Sequence, residues 1–141
     1  MNALPKGTLL LAHGSRDPQW RKPFEQVLTQ ARLLGAGPVA GCFLYAMTPD
    51  FQAGVDELVQ QGVNHLQVVP LFLAAGGHVR QDLPRLAEEA MRRHPALTIA
   101  LGTPIGEEPE IQKAIAIHIA AQTRQPVGLS TERSTDIPKE S

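Results

Sequence analysis

Four short, nearly unbroken apolar runs punctuate the chain, at residues 7–12, 39–44, 66–69 and 97–101, and between them the apolar positions fall at helical spacing. Continuous apolar runs of this length mark strands covered on both faces, whereas an apolar residue every three or four positions marks a helix with one buried face. After the first run, Asp17 and Pro18 supply an N-cap and a first-turn proline. Trp20, Phe24, Val27, Leu28 and Ala31 then share a face until Gly35 and Gly37-Pro38 stop the helix. Thr48-Pro49 repeats the cap-then-proline signal ahead of Phe51, Val55, Leu58 and Val59, and Gly62 closes that helix. A third stripe, Val79, Leu83, Leu86, Ala87, Ala90 and Met91, is interrupted by Pro84. The proline predicts either a short turn at 78–82 with the main helix starting near Pro84, or a kink there. A last helix is predicted over 109–122. Residues 123–141 mix Pro, Ser, Thr and charges without periodicity, so a single domain over 1–122 with a disordered tail is expected.

Four rounds of strand and helix predict one three-layer α/β domain around a four-stranded parallel sheet. Right-handed crossovers leave few topologies, of which the order 2-1-3-4 places the first and third strands at the centre. Ligands of such sheets bind beyond the carboxyl ends of the strands, where the winding reverses. That point lies between the first and third strands, and each of these runs into a loop bearing a histidine. His13 is followed by Gly14, Ser15 and Arg16, and His78 is preceded by Gly76-Gly77 and followed by Arg80. His13 and His78 are therefore expected to face each other across one crevice. Two imidazoles there can hold a divalent cation, move protons, or do both. Gly14, Gly76 and Gly77 let the backbone approach a large ligand, and Arg16 and Arg80 are placed to fork onto ligand carboxylates. The loop at 70–75 is too apolar for a plain solvated connection and is expected to line a pocket or a subunit contact.

Composition narrows the classes. A net charge of −1 gives no overall field for nucleic acid or a membrane surface. No run approaches the roughly 20 apolar residues of a membrane span, and the N-terminus lacks the pattern of a secretion signal. Cys42 is the single cysteine, which leaves no intrachain disulfide and no multi-cysteine zinc site. A soluble, cytoplasmic protein is expected, with Cys42 a small buried hydrophobe and Trp20 an anchor between helix and sheet. His65, His94 and His118 read as structural or solvated, and Arg21-Lys22 and Arg92-Arg93 as solvated helix faces.

Residues 9–17 (LLLAHGSRD) and 69–84 (VPLFLAAGGHVRQDLP) resemble the two signature segments of the small single-domain sirohydrochlorin chelatases of the CbiX/SirB type, over roughly residues 7–120. The resemblance implies insertion of a divalent metal, Co2+ or Fe2+, into the tetrapyrrole sirohydrochlorin, without ATP or an organic cofactor, by a homodimer. It implies that His13 and His78 bind the metal and accept the pyrrole N–H protons. Family members commonly carry an acidic residue four positions before the proline that opens the second helix; Tyr45 stands there in this chain, neutral at pH 7 and suited to stack on a macrocycle. Two other readings fit the same residues. One is a non-catalytic protein that holds a metal or tetrapyrrole and delivers it. The other is a flavodoxin-like module binding a phosphate-bearing ligand through the glycine loops.

Overall fold

The computed structural model describes residues 6–124, which fall into two units, one ending at Glu108 and the other beginning at Pro109. In the first unit β1 (Lys6–Ala12) leads through a 3-10 turn (Pro18–Trp20) into α1 (Arg21–Leu33). Then follow β2 (Val39–Phe43), α2 (Phe51–Gln60), β3 (His65–Pro70), α3 (Gly77–Arg93) and β4 (Thr98–Leu101). The strands form one parallel sheet in the order β2-β1-β3-β4, with Leu9 opposite both Ala40 and Val68.

The chain reverses direction across the sheet after β2, so right-handed connections must put α1 on one face and α2 and α3 on the other. Packing follows this division. Leu9, Leu11, Cys42, Leu66 and Val68 pack with Phe51, Val55 and Leu58 of α2 and Leu83 and Ala90 of α3. Leu10, Ala12, Val39 and Phe43 pack with Phe24 and Leu28 of α1. Each fully buried leucine or phenylalanine contributes about 1.5–3 kcal/mol relative to exposure, so this two-sided layer carries most of the fold's stability. The Cys42 thiol is buried, and its burial raises its pKa far above the ordinary thiol range.

Three local expectations change. α3 starts at Gly77 and runs unbroken past Pro84, whose missing N–H leaves the Arg80 carbonyl without its usual partner one turn on. Packing of Leu83, Ala87 and Ala90 on the sheet outweighs that local loss. The cap of α2 is Asp50 rather than Thr48: its carboxylate accepts from the Ala53 N–H at 2.9 Å. Pro49 lies outside the helix, and its carbonyl accepts from the Phe43 N–H at 2.9 Å. Trp20 meets the Phe43 ring edge-on at 6.3 Å yet stays 40% exposed, so it borders the core instead of anchoring it.

On the solvent side, α2 and α3 are strapped by polar side chains. The Gln52 amide donates to the Leu86 carbonyl at 3.0 Å, Arg93 donates to Gln52 and Asp56, and His94 Nε2 lies 2.8 Å from the Asp56 carboxylate. Arg93 is thus a structural partner and not a solvated face. The His94 hydrogen bond, followed by that from Arg93, holds the Asp56 carboxyl below its ordinary value. A carboxyl depressed on folding stabilises the native state above its unfolded pKa and loses that contribution as the pH falls through the folded value. Asp56→Asn is accordingly expected to cost about 0.5–1 kcal/mol from neutral pH down to about pH 4, the modest range of a partly exposed pair. The gap from wild type should close at lower pH, as read by denaturant titrations at stepped pH.

The second unit holds α4 (Pro109–Thr123), with no buried residue and with Ile117 and Ile119 about 60% exposed. Of the tail expected at 123–141, Thr123 closes α4 and residues 125–141 lie outside the described residues. Among the described residues, no helix is long and apolar enough to cross a membrane.

Candidate functional site

β1 and β2 stay paired to their ends, where the Leu44 N–H donates to the Ala12 carbonyl at 3.1 Å. The next residues, His13 and Tyr45, meet as rings edge to face with centroids 6.1 Å apart. Gly14 makes this close passage possible. Its φ is +97°, and a Cβ there would stand 1.9 Å from the Tyr45 carbonyl oxygen. Only a residue without a side chain fits both the left-handed backbone and the contact.

Tyr45 is itself held by a tight turn, closed by the Met47 N–H on the Tyr45 carbonyl at 2.8 Å with Ala46 at φ 61°. A non-glycine residue in that region is strained by about 1–3 kcal/mol and persists only where its surroundings enforce it. Arg21 supplies part of that enforcement. Its guanidinium lies 4.8 Å from the Phe43 ring centroid and donates to the Thr48 carbonyl at 3.0 Å, clamping the far side of the turn.

The apolar loop after β3 brings Phe72 edge-on to His13 with centroids 6.0 Å apart. Its start is tied to β1 by the Leu71 N–H on the Leu11 carbonyl at 2.7 Å. Gly106 packs beneath it so closely that a Cβ would stand 2.3 Å from Leu73 backbone atoms. The loop then releases the chain at Gly76-Gly77 into the first turn of α3, where His78 is the second residue.

His13 and His78 line one cleft of about 540 Å³, within the range of small-molecule sites. Its first wall is His13, Leu44 and Tyr45, and its second is α3, through His78, Val79, Asp82, Arg85, Leu86 and Glu89. The cleft opens at the carboxyl ends of β1 and β2 beside the reversal of winding, where an open α/β sheet exposes backbone ends and loop side chains to a ligand. Among the described residues, no three or more His, Cys, Asp or Glu side chains converge to hold a metal. Two imidazoles alone would leave a bound divalent metal short of a full coordination sphere.

The other expected site residues lie elsewhere. Arg16 borders a separate hollow of about 290 Å³ with Ser15, Arg21 and Met47, on the far side of the Tyr45 turn. Arg80 borders another, of about 340 Å³, with Ala75, Leu83, Leu101 and Glu107. Gly76 and Gly77 are exposed, and a Cβ on either would meet no atom within 4 Å. Their lack of side chains thus answers no packing need among the described residues. Asp50 is committed to capping α2, and Glu25 faces the hollows along α1, so neither replaces an acid at Tyr45. A larger hollow of about 590 Å³ is lined by polar side chains of α1 alone, with no second wall to enclose a ligand.

Asp82, Arg85 and Glu89 were not among the expected site residues. The signal was present, since they follow His78 by four, seven and eleven positions, which is one face of a helix. The open choice between a helix starting near Pro84 and one kinked there hid it.

Strand order, winding and the cleft together define a doubly wound α/β domain that presents imidazoles at its switch point. The CbiX family model matches residues 7–122, and the chain belongs to the CbiX family. It is 30% identical over 113 residues to the sirohydrochlorin ferrochelatase of Bacillus subtilis, covering 79% of this chain and 43% of that protein. The crystal structure of a putative cobalamin biosynthesis CbiX protein from Marinobacter aquaeolei superposes with a TM-score of 0.77 at 34% identity, covering 86% of this chain and all of that one. The sirohydrochlorin chelatase SirB from Bacillus subtilis subspecies spizizenii, solved in complex with cobalt, gives a TM-score of 0.74 at 28% identity, covering 84% of this chain and 51% of that one. The chain thus spans less than half the length of that ferrochelatase, and 34% of a second curated relative.

Proposed function

We propose that this protein inserts a divalent metal, Co2+ or Fe2+, into sirohydrochlorin or a close relative, acting in the cytoplasm as a homodimer of chelatase-like domains over residues 1–122. The observation that carries the proposal is the meeting of His13 and His78 in one cleft beside Tyr45. The names of the relatives supply the substrate class.

Insertion exchanges two pyrrole N–H protons for one M2+. Neutral imidazoles hold the incoming metal through their ring lone pairs, which displaces part of its hydration shell. As the metal passes to the macrocycle nitrogens, the same lone pairs are freed, and each can accept one of the two departing protons. One pair of histidines thus serves first as donor and then as base, and no organic cofactor enters the balance. Tyr45 lies at the cleft with half its surface exposed, available to the macrocycle face. Gly76 and Gly77 leave room for close approach, and Arg16 and Arg80, in their own hollows, serve only ligand groups that extend past the cleft.

Support for a dimer comes from a cleft with an open side, from exposed apolar side chains such as Leu73 and Ile117, and from relatives about twice as long. A tyrosine in place of an acid at position 45 and the two-donor metal site favour one rival, a non-catalytic protein that binds and delivers metal or tetrapyrrole.

Anaerobic incubation of the protein with sirohydrochlorin and Co2+ or Fe2+, followed by the macrocycle's absorption, separates the two. Many turnovers per chain are expected; binding that stops at one macrocycle per site would establish the rival. Tyr45→Ala is expected to weaken macrocycle binding, and unchanged binding would remove Tyr45 from the site.

A further inference from the structure

We propose that Arg85, steered by Asp82, is the residue that grips a peripheral carboxylate of the macrocycle seated in the cleft. This rests on the tetrapyrrole reading above and deepens it. Among the described residues Arg85 is the one lysine or arginine lining the cleft; Arg16 and Arg80 face other hollows. It stands seven residues after His78 on the same helix face, about 10 Å along the axis. A flat macrocycle whose central nitrogens meet the imidazoles carries its carboxylates several ångströms out, at the ends of arms on its rim, within the sweep of a long side chain rooted further along the helix. The histidines thus address the centre of such a ligand and Arg85 its rim.

Val79 beside His78 and Leu86 beside Arg85 add apolar surface to the same wall, so hydrocarbon is offered to the ring next to both polar groups. Asp82 makes an ion pair with Arg85 one turn earlier on the helix. The two side chains are 47% and 72% exposed, and a pair so exposed is weak. It narrows the directions the long arginine samples without competing seriously with a ligand, because the guanidinium carries five donors and can keep one on Asp82 while forking onto a second carboxylate. Glu89 lies a turn beyond Arg85 and repels any carboxylate that overshoots it, which favours a single register of the ring along α3.

The test uses the full chain, metal-free sirohydrochlorin and its fully methyl-esterified form, with equilibrium binding and steady-state insertion measured for wild type, Arg85→Gln, Arg85→Lys and Asp82→Asn. Arg85→Gln is expected to raise Kd and KM for the acid form about 10- to 100-fold, as for loss of a charged hydrogen-bonding partner, with kcat at saturation nearly unchanged. Affinity for the ester should not move. Arg85→Lys should recover part of the loss, and Asp82→Asn should weaken binding only several-fold. Wild-type affinity for the acid form in Arg85→Gln, an equal loss for the ester, or a fall in kcat with Kd unchanged would each overturn the assignment while leaving the tetrapyrrole reading intact. Failure of the wild-type protein to bind either form would overturn both.

Discussion

Replacing either His13 or His78 by alanine is expected to lower metal insertion by at least about 100-fold while leaving the unfolding transition nearly where it is in the wild type. In the proposed reaction each ring is used twice. A missing imidazole would then remove one of two protein ligands for the incoming metal and one of two acceptors for the outgoing protons, and among the described residues no group of three or more donors stands ready to replace it. Stability should hold because both histidines are exposed, and among the described residues the ring contacts of His13 are edge-on ones with Tyr45 and Phe72. Single-turnover absorption and thermal denaturation of the same preparations check both halves. Insertion within a few-fold of wild type in either variant would remove that histidine from the chemistry.

Gly14→Ala should instead unfold the site from within. The added methyl has no room, since the obstructing atom is the Tyr45 backbone carbonyl at 1.9 Å and not the end of a flexible side chain. The left-handed backbone alone costs about 1–3 kcal/mol for a residue with a side chain. Relieving the clash must also push apart the ends of β1 and β2, where Leu44 bonds to Ala12. A loss of about 3 kcal/mol or more is expected, which for a domain of this size lowers Tm by roughly 10 °C. Gly76→Ala is the matched control: its φ of −75° suits alanine and the new methyl meets nothing. A Gly14→Ala protein as stable as the Gly76→Ala protein would contradict the geometry of the two loops.

The strand order, the two-sided sheet and the histidine loops could all be read from the chain because they rest on local, repeated signals. Apolar runs, capping residues and glycines report their own backbone, and right-handed crossovers convert four such reports into one topology. The open choice at α3, between a helix starting near Pro84 and one kinked there, has the same origin. Pro84 is a strong local breaker, and the chain alone does not show that Leu83, Ala87 and Ala90 gain enough from the sheet to carry the helix past it. With that choice open, the charged row at Asp82, Arg85 and Glu89 did not stand out as one face. Arg16 and Arg80 line hollows of their own for a different reason. Nearness in sequence to a histidine is not nearness in space, because a residue two positions along a helix or past a tight turn points another way.

By itself, then, the order of residues determined which segments are strands, how they are wound, and that two imidazoles stand at the carboxyl ends of central neighbours. Only the tertiary structure decided which arginine shares their cleft, which acid is spent on a cap, and that Tyr45 is pressed against His13. Those outcomes depend on where side chains end after packing, which is set by contacts between segments distant along the chain; helical spacing puts Arg85 on the face of His78 but does not show that this face lines the cleft.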